Sequence, residues 1–169
     1  MILTEAVLAG SPEFVGALLD LGVYPVSLAS MVFGRPASIT SLAAMGPTGV
    51  DDQSGIVFRY PGGQIASLYT AMGAETPTEA WLIGTLGRLH LHAPFYRTDD
   101  LTLALARRRT RSYHHRRIGS GLHYQAQHLM ERLRRGQLES DLMPLDESLE
   151  VMRTLDAIRA QWGLRYPGE

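Results

Sequence analysis

The run Gly16-Ala-Leu-Leu-Asp20-Leu-Gly22-Val-Tyr24-Pro25 combines core-type and chemistry-bearing residues in one short element. On a helical wheel Val15, Leu18, Leu19, Gly22, Val26, Ala29 and Phe33 share one face, the 3.6-residue stripe that a helix buries. Asp20, Tyr24, Ser27 and Met31 share the other. Side chains four apart are neighbours on a helix, so the Asp20 carboxylate and the Tyr24 phenol point the same way. Pro25 lacks the N–H that would bond the carbonyl of Leu21 and disfavours α geometry at Tyr24, which predicts a kink or break beside the pair. Ser11-Pro12 fits the start of this helix, and Gly34-Arg35-Pro36 its end.

Beyond the helix the apolar period changes from 3.6 to 2, and this change decides the fold. Residues 38–45, 53–60, 64–71, 79–83, 88–92, 101–106 and 110–116 read as short strands separated by turn residues. Pro61-Gly62-Gly63 and Gly84-Thr85-Leu86-Gly87 are the clearest hairpin connections. Tight connections make neighbouring strands antiparallel. Two helices follow. One places Leu122, Ala126, Leu129 and Leu133 on a stripe and stops at Gly136; the other begins near Pro144 and places Leu145, Leu149, Met152, Leu155 and Trp162 on its apolar side. The order helix, antiparallel strands, two helices predicts an α+β fold: an open-faced, mostly antiparallel sheet with helices on one face. Ile56, Phe58, Ile65, Tyr69 and Trp81 suggest that the second face is apolar too. A homo-oligomeric partner is then expected to cover it.

The 169 residues, 45% hydrophobic and 20% charged, suit one ordinary domain. The formal net charge of -1 gives no global field to gather nucleic acid or an anionic membrane. There is no cysteine, which excludes disulfides, thiolate metal sites and cysteine nucleophiles. All 16 basic residues are arginine, so chemistry that needs a lysine must find it on another chain. No run is long enough to span a bilayer and Met1 to Gly10 has no basic leader, so a cytoplasmic location is expected. No strand leads through G-x-G-x-x-G into a helix, and no dinucleotide cradle is visible.

Asp20 and Tyr24 are candidates for an acid/base couple, because a phenol exchanges a proton when a neighbour lowers its pKa and a carboxylate orients the site. A solvated helix face explains the same spacing. His90 and His92 share a strand face, as metal ligands do, yet no third ligand stands at the right spacing, and no metal is expected. His114, His115, His123 and His128 cluster in sequence, with His115 and His123 the weak candidates for a pocket mouth. Arg107, Arg108, Arg109, Arg111, Arg116 and Arg117 form a basic run. On strands they would alternate between faces, and they lack the interleaved aromatics of single-strand binders, so nucleic acid is not expected as a partner.

The run from Gly16 to Pro25 resembles the signature helix of the glucose-fructose oxidoreductase / inositol dehydrogenase (Gfo/Idh/MocA) family, in particular its dihydrodiol dehydrogenase-like branch. Thr48-Gly-Val-Asp-Asp-Gln53, Arg59-Tyr-Pro-Gly-Gly63, Gly84-Thr-Leu-Gly87, and Glu139 to Leu149 through Gly163-Leu-Arg-Tyr-Pro167 are similar to the same branch in the same order. The resemblance runs from Phe14 onward. It implies a glyceraldehyde-3-phosphate dehydrogenase-like C-terminal domain over residues 14–169, preceded by a segment 1–13, that binds substrate and forms oligomers. It further implies an oxidoreductase using NAD or NADP on a sugar, polyol or diol, with Asp20 matching the family aspartate and Tyr24 its acid/base residue.

The family's Rossmann domain, its lysine and the strand before the signature helix have no counterpart here. The chain is therefore expected to be a fragment of a longer enzyme or a truncated product, to bind no cofactor alone and to be inactive in isolation. The rival expectation is a stand-alone ligand-binding or interaction module that kept the fold and lost catalysis.

Overall fold

The computed structural model describes residues 16–166. The proposed helix start at Ser11-Pro12, Val15 and the end of the chain lie outside them. The described residues form two compact units, 16–76 with 146–166, and 77–145.

In the first unit a π-helical turn, Leu18–Gly22, runs directly into α1, Val23–Phe33. Three strands follow: β1 (Ser38–Met45), β2 (Asp51–Arg59) and β3 (Ile65–Ala71), paired antiparallel in the order β1-β2-β3. Opposed residues such as Ser41, Ile56 and Leu68 point to the same face, so the register sorts side chains into two sets. The inner set includes Ser54, Ile56 and Phe58, all at most 2% exposed. It packs on Leu18, Val26 and Ala29 of the first helix and on Val151, Leu155 and Ile158 of the last helix, α3 (Leu145–Ala160). Tyr60 extends this core, its ring 4.9 Å from that of Phe33 and edge-on to Phe58.

The outer set carries Leu42, Val57, Ile65 and Tyr69, all exposed. One sheet face is thus covered by helices and the other is open, which is the expected architecture, although Ile56 and Phe58 belong to the covered face. Gln161 ties α3 to edge strand β1: its side-chain oxygen accepts from Ser41 N–H and Oγ–H, both at 2.9 Å, and its nitrogen donates to the carbonyl of Ile39 at 3.0 Å.

The second unit is an antiparallel sheet in the order β4-β5-β6-β7, formed by Ala80–Gly84, Gly87–Leu91, Asp100–Leu105 and Arg111–His114, followed by α2, His123–Arg134. The strands therefore form two sheets. They part between Ala71 and Ala80, where the chain carries Gly73, a donorless Pro77 and Thr78 at φ 48°. Gly136, at φ 70°, ends α2 by giving its N–H to Leu133, while Gln137 bonds back to Arg132.

Two helix faces differ from the periodicity reading. Helix α3 buries Val151, Thr154, Leu155 and Ile158, leaving Leu149 and Met152 about half exposed. The helix carries two apolar stripes, and sequence period alone does not choose between them. The stripe of α2 at Leu122, Leu129 and Leu133 is exposed.

Candidate functional site

The break expected beside Pro25 takes the form of the π-helical turn. Pro25 offers no N–H to the carbonyl of Leu21 in an α register, and the turn just before it is widened. The chain keeps right-handed helical dihedrals throughout, at Ala17, Gly22 and Val23, so it bulges without breaking. Leu18 and Gly22 face the core. Asp20 is half-buried and Tyr24 is 44% exposed, so both lie away from the fully buried stripe.

What holds this turn is a set of buried polar contacts the sequence reading did not single out. Asp51, at the start of β2, is 1% exposed. Its Oδ2 accepts the backbone N–H of Leu18 at 2.6 Å, and its Oδ1 accepts the Tyr166 hydroxyl at 3.0 Å. The carboxylate acts as a helix cap supplied from 33 residues away, satisfying one of the donors that a helix start leaves orphaned. Burial pushes the Asp51 carboxyl above the usual aspartate range, against the lowering effect of those two donors. Thr70 of β3 adds a second clamp, donating its hydroxyl to the carbonyl of Ala17 at 3.1 Å.

Two glycines make the close approach possible. A Cβ on Gly16 would stand 1.9 Å from Asp51 Oδ1, and one on Gly22 would stand 3.0 Å from Leu18 Cδ1. The available sequence signal was the Thr48-to-Gln53 motif containing Asp51. Nothing local in it announces a cap for a distant helix.

The histidines do not assemble a site. His115 is exposed on the second unit, its backbone N–H bonded to the carbonyl of Asp99. His123 is the first residue of α2, with its ring 4.1 Å from that of Tyr124. Asp20 and Tyr24 belong to the first unit. His90 stacks on Trp81 at 3.8 Å and faces the Glu79 carboxylate at 3.0 Å, and His92 bonds Thr102 at 2.9 Å. Among the described residues no group of three or more His, Cys, Asp or Glu is placed to hold a metal ion. His128 contacts Ser140 and Asp141, and the Arg132 guanidinium beside Asp141 holds that carboxyl below the usual range.

The described residues also do not fit a dinucleotide. All their strand pairs are antiparallel, and the Gly84-to-Gly87 turn leads into β5 rather than into a helix N-terminus.

The sequence profile described as "GFO/IDH/MocA C-terminal domain" matches residues 10–90, the span that holds the clamped helix turn and its Asp51 and Thr70 partners. Those 81 of the 169 residues are similar to a GFO/IDH/MocA C-terminal domain. The trans-1,2-dihydrobenzene-1,2-diol dehydrogenase of Oryctolagus cuniculus is 33% identical to it over 161 residues, covering 90% of this chain and 49% of that protein. The human protein of the same name is 31% identical over 167 residues. The chain spans about half the length of the curated relatives it matches. Among solved structures, an aldose-aldose oxidoreductase from Caulobacter crescentus superposes with a TM-score of 0.75 at 18% identity, over 92% of this chain and 51% of that one. The α+β fold expected from the strand and helix order is present and is consistent with such a domain. Among the described residues no helix is long and apolar enough to cross a membrane.

Proposed function

We propose that residues 14–169 are the substrate-binding and oligomerisation domain of an NAD(P)-dependent oxidoreductase acting on the CH–OH group of a diol or sugar. The observation that carries the reading is the clamped π-helical turn. It fixes the backbone that carries a half-buried carboxylate, Asp20, four residues before an exposed tyrosine, Tyr24. In this reading Tyr24 exchanges the proton of the substrate hydroxyl, and Asp20 orients the hydroxyls around it. The names of the curated relatives support a diol as substrate.

In this reading the nicotinamide cofactor, which supplies the hydride chemistry, is held by residues other than the described ones, and the described residues by themselves are inactive. The exposed sheet face bearing Leu42, Val57, Ile65 and Tyr69 serves a second copy.

The test joins the chain to the cofactor domain of a dihydrodiol dehydrogenase and follows reduced cofactor with a trans-dihydrodiol. Turnover is expected in the joined protein and absent from the isolated chain. Tyr24→Phe should lower kcat by about 10²–10⁴-fold while leaving the fold intact. Turnover that Tyr24→Phe leaves unchanged refutes the assignment and favours the non-catalytic binding module.

A further inference from the structure

The near-neutral total conceals an uneven charge distribution. Between Pro77 and Leu145 there are eleven arginines against six acidic side chains, so the second unit is basic and the rest of the chain acidic. In the densest part, Arg107 to Arg111, most of the arginines lie between strands, where alternation of faces does not apply. Arg107, Arg108 and Arg109 form the turn between β6 and β7, and Arg111 opens β7.

Strand register places Arg111 opposite Leu103, so those two side chains share a sheet face. Arg108, Arg109 and Arg111 converge with Leu103 and Leu105 around a concavity of about 110 Å³. The acidic groups of the hairpin sit at its far end and are already engaged, Asp99 with Arg117 at 3.0 Å and Asp100 with His114 at 2.7 Å. No acidic side chain among the described residues pairs with Arg108, Arg109 or Arg111. Like charges brought together around a hollow without counter-ions repel one another. An anion in the hollow relieves that repulsion.

We infer that this concavity binds a phosphate monoester, its phosphoryl oxygens held by Arg108, Arg109 and Arg111 and its apolar substituent resting on Leu103 and Leu105. Guanidinium suits the task because its planar fork donates two parallel hydrogen bonds to a phosphoryl group. The leucines distinguish the site from one for a free inorganic anion. The absence of aromatic side chains from its wall distinguishes it from a base-stacking groove.

The full chain titrated with phenyl phosphate in a calorimeter tests this directly. Saturable one-to-one binding is expected, several-fold tighter than that of inorganic phosphate because the ring buries leucine surface. Arg109→Gln/Arg111→Gln should weaken it at least about tenfold, whereas Arg134→Gln on α2 should not. Phenyl phosphate should also protect Arg108, Arg109 and Arg111 of the unaltered chain from arginine-modifying reagent, read by mass spectrometry, which tests the site even if the double variant fails to fold. Absence of saturable binding, protection spread evenly over all arginines, or binding that survives Arg109→Gln/Arg111→Gln in a folded protein overturns the inference. Equal affinity for inorganic phosphate overturns the ester reading. Tighter binding of an oligothymidylate with steep salt dependence assigns the patch to nucleic acid instead.

Discussion

Asp51 offers the sharpest test of how the candidate site is held. Replacing it with alanine removes both acceptors at once. The Leu18 N–H, bonded at 2.6 Å in a buried position, loses its partner at a cost of about 1–3 kcal/mol, and the lost Tyr166 bond adds about 1 kcal/mol. The total is about 2–4 kcal/mol, reduced somewhat because a desolvated carboxylate is removed with the bonds. Asparagine keeps an acceptor for Leu18 and a polar partner for Tyr166, so Asp51→Asn should cost no more than about 1 kcal/mol.

The two variants also separate by pH. Burial raises the folded-state pKa of Asp51, so the folded protein holds that proton more tightly than the unfolded chain does. The Asp51 contribution is therefore fully present below the ordinary aspartate pKa and lost as pH rises through the folded value. The asparagine variant, which has no such proton, should gain on the wild type over that rise. Urea unfolding followed by Trp162 fluorescence in a Trp81→Phe background measures both effects, because Trp162 packs against the first unit's core. If asparagine costs as much as alanine, or if the gap between Asp51→Asn and wild type stays flat from about pH 4 to pH 7, the reasoning from a desolvated cap fails.

Gly16→Ala should cost about 1–3 kcal/mol in the same assay, since the new methyl would displace the Asp51 carboxylate. Arg107 holds φ at 60° without being glycine, so Arg107→Gly should raise thermal stability by up to about 1 kcal/mol, and a loss would show that its side chain matters more than its backbone. Val57→Glu, on the open face of the three-stranded sheet, should shift sedimentation from dimer to monomer without unfolding the chain; a wild-type chain that is already monomeric refutes the proposed pairing.

The strands were legible in the sequence because their period of 2 and the glycine and proline turns are local signals. Observed boundaries such as Ser38–Met45 and Ile65–Ala71 fall within a residue or two of the reading. The disturbance at Pro25 was legible for the same reason, since proline acts on its own helix. Three features were not. The role of Asp51 depends on a contact 33 residues away, and no local pattern encodes it. The buried side of α3 was undetermined because Leu149 and Met152 compete with Val151 and Ile158 at equal spacing. The grouping of Arg108 and Arg109 with Arg111 was not legible because residues between strands carry no alternation of faces to say where their side chains point. Spacing and the family resemblance named Asp20 and Tyr24 as candidates, whereas the clamp on the turn before Tyr24 emerges only from the folded chain.

The π-helical turn also has a bearing on how this helix tolerates change in length. At about 100° per residue, the eight steps from Leu18 to Val26 would advance a regular α-helix about 80° past two full turns. Both residues nevertheless lie in one buried cluster. The widened turn winds more slowly and takes back much of that advance, in the manner of a single inserted residue. Losing one residue between Leu18 and Gly22 would leave seven steps, about 700° in a regular helix and so within about 20° of two full turns. The capped end and the Tyr24 end would then keep their places on the sheet. The widened turn is a place where this helix absorbs a change of one residue in length without losing its rotational phase.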